Sequence, residues 1–185
     1  MNTEELIKKY QILISKALDC KPEHIKFYKD GSKIGSIDYE KKEEWGEDYI
    51  LDWELGNYSV MLDKENNLPE QFLYKDKPTD GAIPFSDYDK VIGSFKLYHL
   101  PYCCAFLVSC NAFVNYNFRK KGIGTILNLL RQDIGKLLNF TSILCTDIED
   151  NIGQRKILKK NGWKDVHSVI NKRTNNKLFL SVIDI

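Results

Sequence analysis

The chain has 185 residues, of which 43% are hydrophobic, and a formal net charge of +1. That size and apolar content suit a single globular domain over 1–185 with a sizeable core. No apolar run approaches the roughly 18–20 residues that cross a bilayer, and the N-terminus MNTEELIKKY opens with acids rather than a basic stretch followed by an apolar one, so a cytoplasmic protein without membrane contact is expected.

The first predicted element is an amphipathic helix over 3–19, with Leu6, Tyr10, Leu13, Ile14, Ala17 and Leu18 at helical spacing. Asn2 with Glu5 has the form of a capping box, and Lys21-Pro22 closes the helix. Strands His24–Tyr28 and Lys33–Tyr39 flank the turn pair Asp30-Gly31, and Tyr49–Leu55 with Tyr58–Leu62 form a second pair around Gly56-Asn57. Residues 63–88, punctuated by Pro69, Pro78 and Pro84, read as a long irregular connection of the sort that covers a substrate site. Two strands follow, Lys90–His99 and the strongly apolar Cys103–Val114. From Gly122 onward, Ile123, Ile126, Leu127, Leu130, Ile134, Leu137 and Leu138 give the clearest helical period in the chain, so one face of this helix is buried. A short strand Ser142–Thr146, a short helix Asn151–Lys160 ended by Asn161-Gly162, and a terminal hairpin of Trp163–Ile170 with Leu178–Ile183 complete the chain.

Charge is unevenly spread: residues 1–104 carry 14 basic and 20 acidic side chains, residues 105–185 carry 13 basic and 6 acidic. Such a division points to two surfaces that meet different partners. The five cysteines lack the paired short spacings of a zinc site, so reduced, mostly buried thiols and no bound metal are expected.

The most informative segment is the passage from the strand ending at Val114 to the helix opening at Gly122. A helix start offers N–H groups without internal partners and the positive end of the helix dipole, which together favour phosphate. Gly122 and Gly124 let a pyrophosphate approach the backbone, and Arg119, Lys120 and Lys121 add positive charge. The string Val114-Asn115-Tyr116-Asn117-Phe118-Arg119-Lys120-Lys121-Gly122-Ile123-Gly124 resembles the signature of the GCN5-related N-acetyltransferase (GNAT) superfamily. A second element, Asn151 through Trp163, resembles that superfamily's later motif, an Asn opening a short helix that ends in Gly and an aromatic.

The resemblance implies an α+β (α/β) fold of the acyl-CoA N-acyltransferase type: a central, mixed, mostly antiparallel sheet with two splayed parallel strands and helices on both faces. It implies that 105–185 form the acyl-CoA half and 1–104 a divergent acceptor-side half. By the same resemblance Asn111 and Ala112 lie near the acyl group, Phe113 and Val114 pair with the pantetheine arm, Lys121, Gly122, Ile123, Gly124 and Thr125 cradle the pyrophosphate, and Asn151 and Leu158 flank the arm. The reaction implied is direct attack of a primary amine on the thioester of acetyl-CoA.

The chain departs from the superfamily at two acid–base positions. Leu158 stands where a tyrosine often protonates the departing thiolate, and Val108 stands where some members carry a glutamate base. Tyr116, Cys145, Asp147 and His99 are the substitutes the sequence offers. A catalytically inactive member that binds acyl-CoA or a protein partner therefore stays open beside the enzyme. The acidic run 38–54, with eight acids against two lysines, favours a cationic amine if it lines the acceptor side; a solvated charged surface is the plainer reading. Near-neutral total charge argues against nucleic acid.

Overall fold

The computed structural model describes residues 2–29, 32–33, 56–66, 89–100, 103 and 105–185. Helix α1, Thr3–Leu18, starts with the expected capping box: the Glu5 N–H donates to Asn2 Oδ1 and the Asn2 N–H to Glu5 Oε2, both at 2.9 Å. It ends where Asp19 turns into the left-handed region at φ 53°, a little before the proline expected to close it. Its inward face buries Leu6, Tyr10 and Ile14.

Strand β1, Ile25–Lys29, pairs antiparallel with the two-residue β2, Ser32–Lys33, as expected for strands flanking Asp30-Gly31, which themselves lie outside the described residues. Residues 34–55, including the acidic run and the strand expected at Tyr49–Leu55, lie outside the described residues, as do 67–88 of the long connection. Strand β3 runs Gly56–Leu62, so Gly56-Asn57 is strand and not a turn. Strand β3 pairs with β1 from Tyr58 onward, and its pairing with β4, Val91–His99, which sets Gly56 against Leu97 and Asn57 against Lys96, overrides the local turn preference of that dipeptide.

Strand β5 is Phe106–Val114, helix α2 is Ile123–Leu137, strand β6 is Ser142–Ile148, helix α3 is Ile152–Lys160, and strands β7, Lys164–Ile170, and β8, Lys177–Asp184, form the last hairpin. The eight strands make one sheet in the order β2-β1-β3-β4-β5-β6-β8-β7, antiparallel throughout except for the parallel pair β5 and β6. The α2 period predicted from sequence is the buried one: Ile123, Leu127, Leu130 and Ile134 enter the core.

That core joins the inner faces of α1, α2 and α3 to one face of the sheet through Phe27, Val60, Phe95, Leu107 and Ile143. Tyr28, Met61 and Val91 form a second, smaller buried cluster. Helix α1 is fastened to α2 by the Tyr10 hydroxyl, which donates to Asp133 Oδ2 at 2.8 Å, and by the Lys9–Asp133 ion pair. No helix among the described residues is long and apolar enough to cross a membrane.

Candidate functional site

The sheet opens at its centre. The parallel pairing of β5 with β6 covers Phe106–Val108 against Ser142–Leu144 and stops there, while β6 continues against β8 as far as Ile148. Beyond Val108, β5 turns at a bulge: Asn111 and Ala112 together face Phe95 of β4, since Ser94 pairs with Phe113 and Lys96 with Cys110. Asn111 adopts φ 53°, a left-handed conformation that asparagine tolerates better than most residues. An extra residue bends and twists its strand, so the two parallel strands part as they leave the sheet's core.

The turn after β5 combines polar and basic residues with two aromatics, of which Phe118 is buried. Asn115 caps the 3-10 turn Tyr116–Phe118 by accepting from the Asn117 N–H at 3.2 Å. Lys120 at φ 62° and Gly122 at φ 80° then reverse the chain into α2. Thr125 and Ile126 donate their N–H groups to the Gly122 carbonyl. Among the described residues, the N–H groups of Lys121, Gly122, Ile123 and Gly124 make no backbone hydrogen bond, which leaves a row of donors at the positive end of α2.

Two residues of this turn also make structural contacts that the sequence does not reveal. Gly122 does face open space, with nothing within 4 Å of where a β-carbon would be, but a β-carbon on Gly124 would lie 2.7 Å from Ile157 Cδ1. The second glycine is small so that α3 can approach α2. Arg119 does not simply project its charge: its Nε donates to the Val114 carbonyl at 3.0 Å, pinning the turn to the end of β5.

Between the parted strands lies a cleft of about 230 Å³. Its walls bring together five residues singled out in the sequence, Asn111 and Ala112 from β5, Cys145 and Asp147 from β6, and Asn151 at the start of α3. Asn151 also caps α3 by accepting from the Gln154 N–H at 3.3 Å. The other acid–base candidates stand elsewhere: Tyr116 is 66% exposed on the 3-10 turn and His99 is exposed at the end of β4. Leu158 is packed into the main core.

The electrostatics of the cleft are only partly legible in the sequence. Asp147 is 6% exposed and its Oδ2 has no hydrogen-bond partner. Burial raises its pKa, against the lowering effects of Arg155, the Ile148 backbone and the Asn151 side chain. The Cys145 thiol is pushed up to about 12, chiefly by burial, so it stays neutral. Arg131 from α2 also lines the cleft, at 3% exposure, and sequence reasoning missed it. Its signal lies in the spacing: it stands four residues after Leu127 and next to Leu130, within the apolar stripe rather than outside it.

No family model matches the chain, and no curated protein matches it in sequence. Solved structures do match. The acetyltransferase of the GNAT family from Bacillus anthracis is 13% identical, with a TM-score of 0.50 over 69% of this chain and 65% of that one. Nourseothricin acetyltransferase is 8% identical, with a TM-score of 0.50 over 70% of this chain and 64% of that one. The chain has the fold of the GNAT acetyltransferases. The mostly antiparallel GNAT sheet expected from the two motifs, with one parallel pair that splays, is the sheet observed. Identities this low speak for the fold alone. The chain covers less than two thirds of either structure's length.

Proposed function

We propose that the chain is an N-acyltransferase, a single domain that moves the acyl group of an acyl-coenzyme A, with acetyl-CoA as the expected donor, to a primary amine. One observation carries this reading: β5, which lines the cleft where it parts from β6, ends at Val114, whose Cγ2 would lie 3.8 Å from a β-carbon on Gly124, so the cleft and a helix start with N–H groups unpaired among the described residues share one strand end. The residues fit the donor. Lys121–Gly124 supply N–H donors to the pyrophosphate, open space at Gly122 admits it, and Lys120 and Lys121 add charge. Asn111, Ala112 and Asn151 take the far end of the pantetheine arm in the cleft.

The thioester supplies an activated acyl carbon. A neutral amine attacks it, the C–N bond forms, the C–S bond breaks, the amine releases a proton to solvent and the thiolate must gain one. We assign that second proton to Asp147. It is the only carboxyl group lining the cleft among the described residues, its Oδ2 is free, and burial keeps it protonated to higher pH than an exposed aspartate. This assignment answers the absence of a tyrosine at Leu158. Cys145, neutral and enclosed beside it, is read as structural.

Titration calorimetry with acetyl-CoA, followed by a thiol-release assay over a panel of amines, tests the reading. Binding with turnover supports it. Binding without turnover on any amine favours a non-catalytic acyl-CoA-binding protein instead. The acidic run 38–54 makes cationic amines the first acceptors to try.

A further inference from the structure

Arg131 stands in the wall of the cleft, and transfer of an acetyl group makes no use of it. Its Nη1 donates to Ser109 Oγ at 2.8 Å, its Nε is enclosed with no partner, and its guanidinium lies 5.8 Å from the centre of the Trp163 ring. Among the described residues no carboxylate forms an ion pair with it. Asp133 is taken by Lys9 and Asp165 by Arg155, and Asp147 is influenced by Arg155. The Cys145 thiol that adjoins it is neutral. A buried charge without a counter-ion costs several kcal/mol unless something compensates it, so a cation kept here calls for an anion that arrives with a ligand.

The position says which ligand. Ser109 and Cys145 are the first residues beyond the last paired positions of β5 and β6, so Arg131 sits at the root of the opening. It follows Gly122 on the same helix by nine residues, about 14 Å at 1.5 Å per residue. An arm held by its pyrophosphate at Gly122 and running along α2 thus brings its acyl end toward the guanidinium. The bulge at Asn111–Ala112, where the acyl group is expected, is two to three residues from Ser109, about 7–10 Å along a strand, a distance that an acyl chain longer than acetyl would span.

We propose that Arg131 and Ser109 form a carboxylate subsite at the root of the β5–β6 opening, so that the preferred donor is the thioester of a short dicarboxylic acid, such as malonyl- or succinyl-coenzyme A. The guanidinium fork suits a carboxylate, and the Ser109 hydroxyl can donate to the same group. That carboxylate is a spectator: bond exchange from sulfur to nitrogen takes place at the other end of the acyl group. The proposal rests on the acyl-CoA reading above and sharpens its donor.

Titration calorimetry of the full chain with coenzyme A, acetyl-CoA and succinyl-CoA tests it, with Arg131→Met and Ser109→Ala beside the wild type. The wild type is expected to bind succinyl-CoA about tenfold or more tighter than acetyl-CoA, as a charge-assisted pair warrants. The ratio falls to about one in R131M, and S109A, which keeps the charge, lowers it partway and covers the case in which R131M does not fold. Equal affinities in the wild type, or a preference that survives in R131M, overturn the subsite while leaving the acyl-CoA reading intact. No binding of any of the three thiols or thioesters overturns both.

Discussion

Gly124 and Ile157 meet so closely that a β-carbon on the glycine would lie 2.7 Å from Ile157 Cδ1. The contact joins α2 to α3, and through them the phosphate turn to the helix whose N-cap, Asn151, lines the cleft. Because the obstacle is the end of a flexible side chain, Gly124→Ala is expected to cost only about 1 kcal/mol. In an Ile157→Ala background the same change should be nearly neutral. Urea denaturation of the four proteins in a double-mutant cycle measures this, and additive losses would mean that the two residues do not share the space.

Gly93 of β4 presents the harder case. A β-carbon there would meet the Phe113 carbonyl oxygen and Leu127 Cδ1, each at 2.6 Å. The carbonyl belongs to the β5 backbone and cannot swing away. Gly93→Ala should therefore lose about 2–3 kcal/mol, more than Gly124→Ala, in the same denaturation experiment.

Asp147 gives a pH signature. Its folded pKa is raised, so between the unfolded and the folded values the folded chain binds more protons than the unfolded one. The stability this group contributes is complete below the unfolded carboxyl pKa and is lost as pH rises through the folded value. Asp147→Asn should remove that loss: the variant melts at or above the wild type at pH 8, and the difference shrinks on acidification toward pH 4. The same variant should lower kcat about 100-fold or more with little change in acetyl-CoA affinity, if Asp147 protonates the departing thiolate. A kcat unchanged across pH would remove it from that role.

Much of this fold is legible in the amino-acid sequence. The period of α2 is carried by large aliphatic residues, the α1 capping box by two polar side chains three apart, and the strand, turn and helix around Gly122 by residue types with strong local preferences. What escapes the sequence depends on partners distant in the chain. The Asn111 bulge exists only against β4, and Gly56-Asn57 enters a strand because it pairs with Leu97 and Lys96 of β4. Gly124 owes its smallness to Ile157, thirty-three residues on. Arg131 is visible as a break in an apolar stripe, but its meaning depends on β5 and β6 parting above it.

The central claim is that the Lys121–Gly124 turn and the cleft beside it hold an acyl-coenzyme A. Calorimetric titration of coenzyme A into the wild type and into Gly122→Val tests it most directly. Valine would be strained at φ 80° and would place a side chain in the open space over the N–H groups, so affinity should fall at least about tenfold. Circular dichroism should show that the fold survives. No heat of binding with the wild type, or equal affinity in a folded Gly122→Val, would contradict the account.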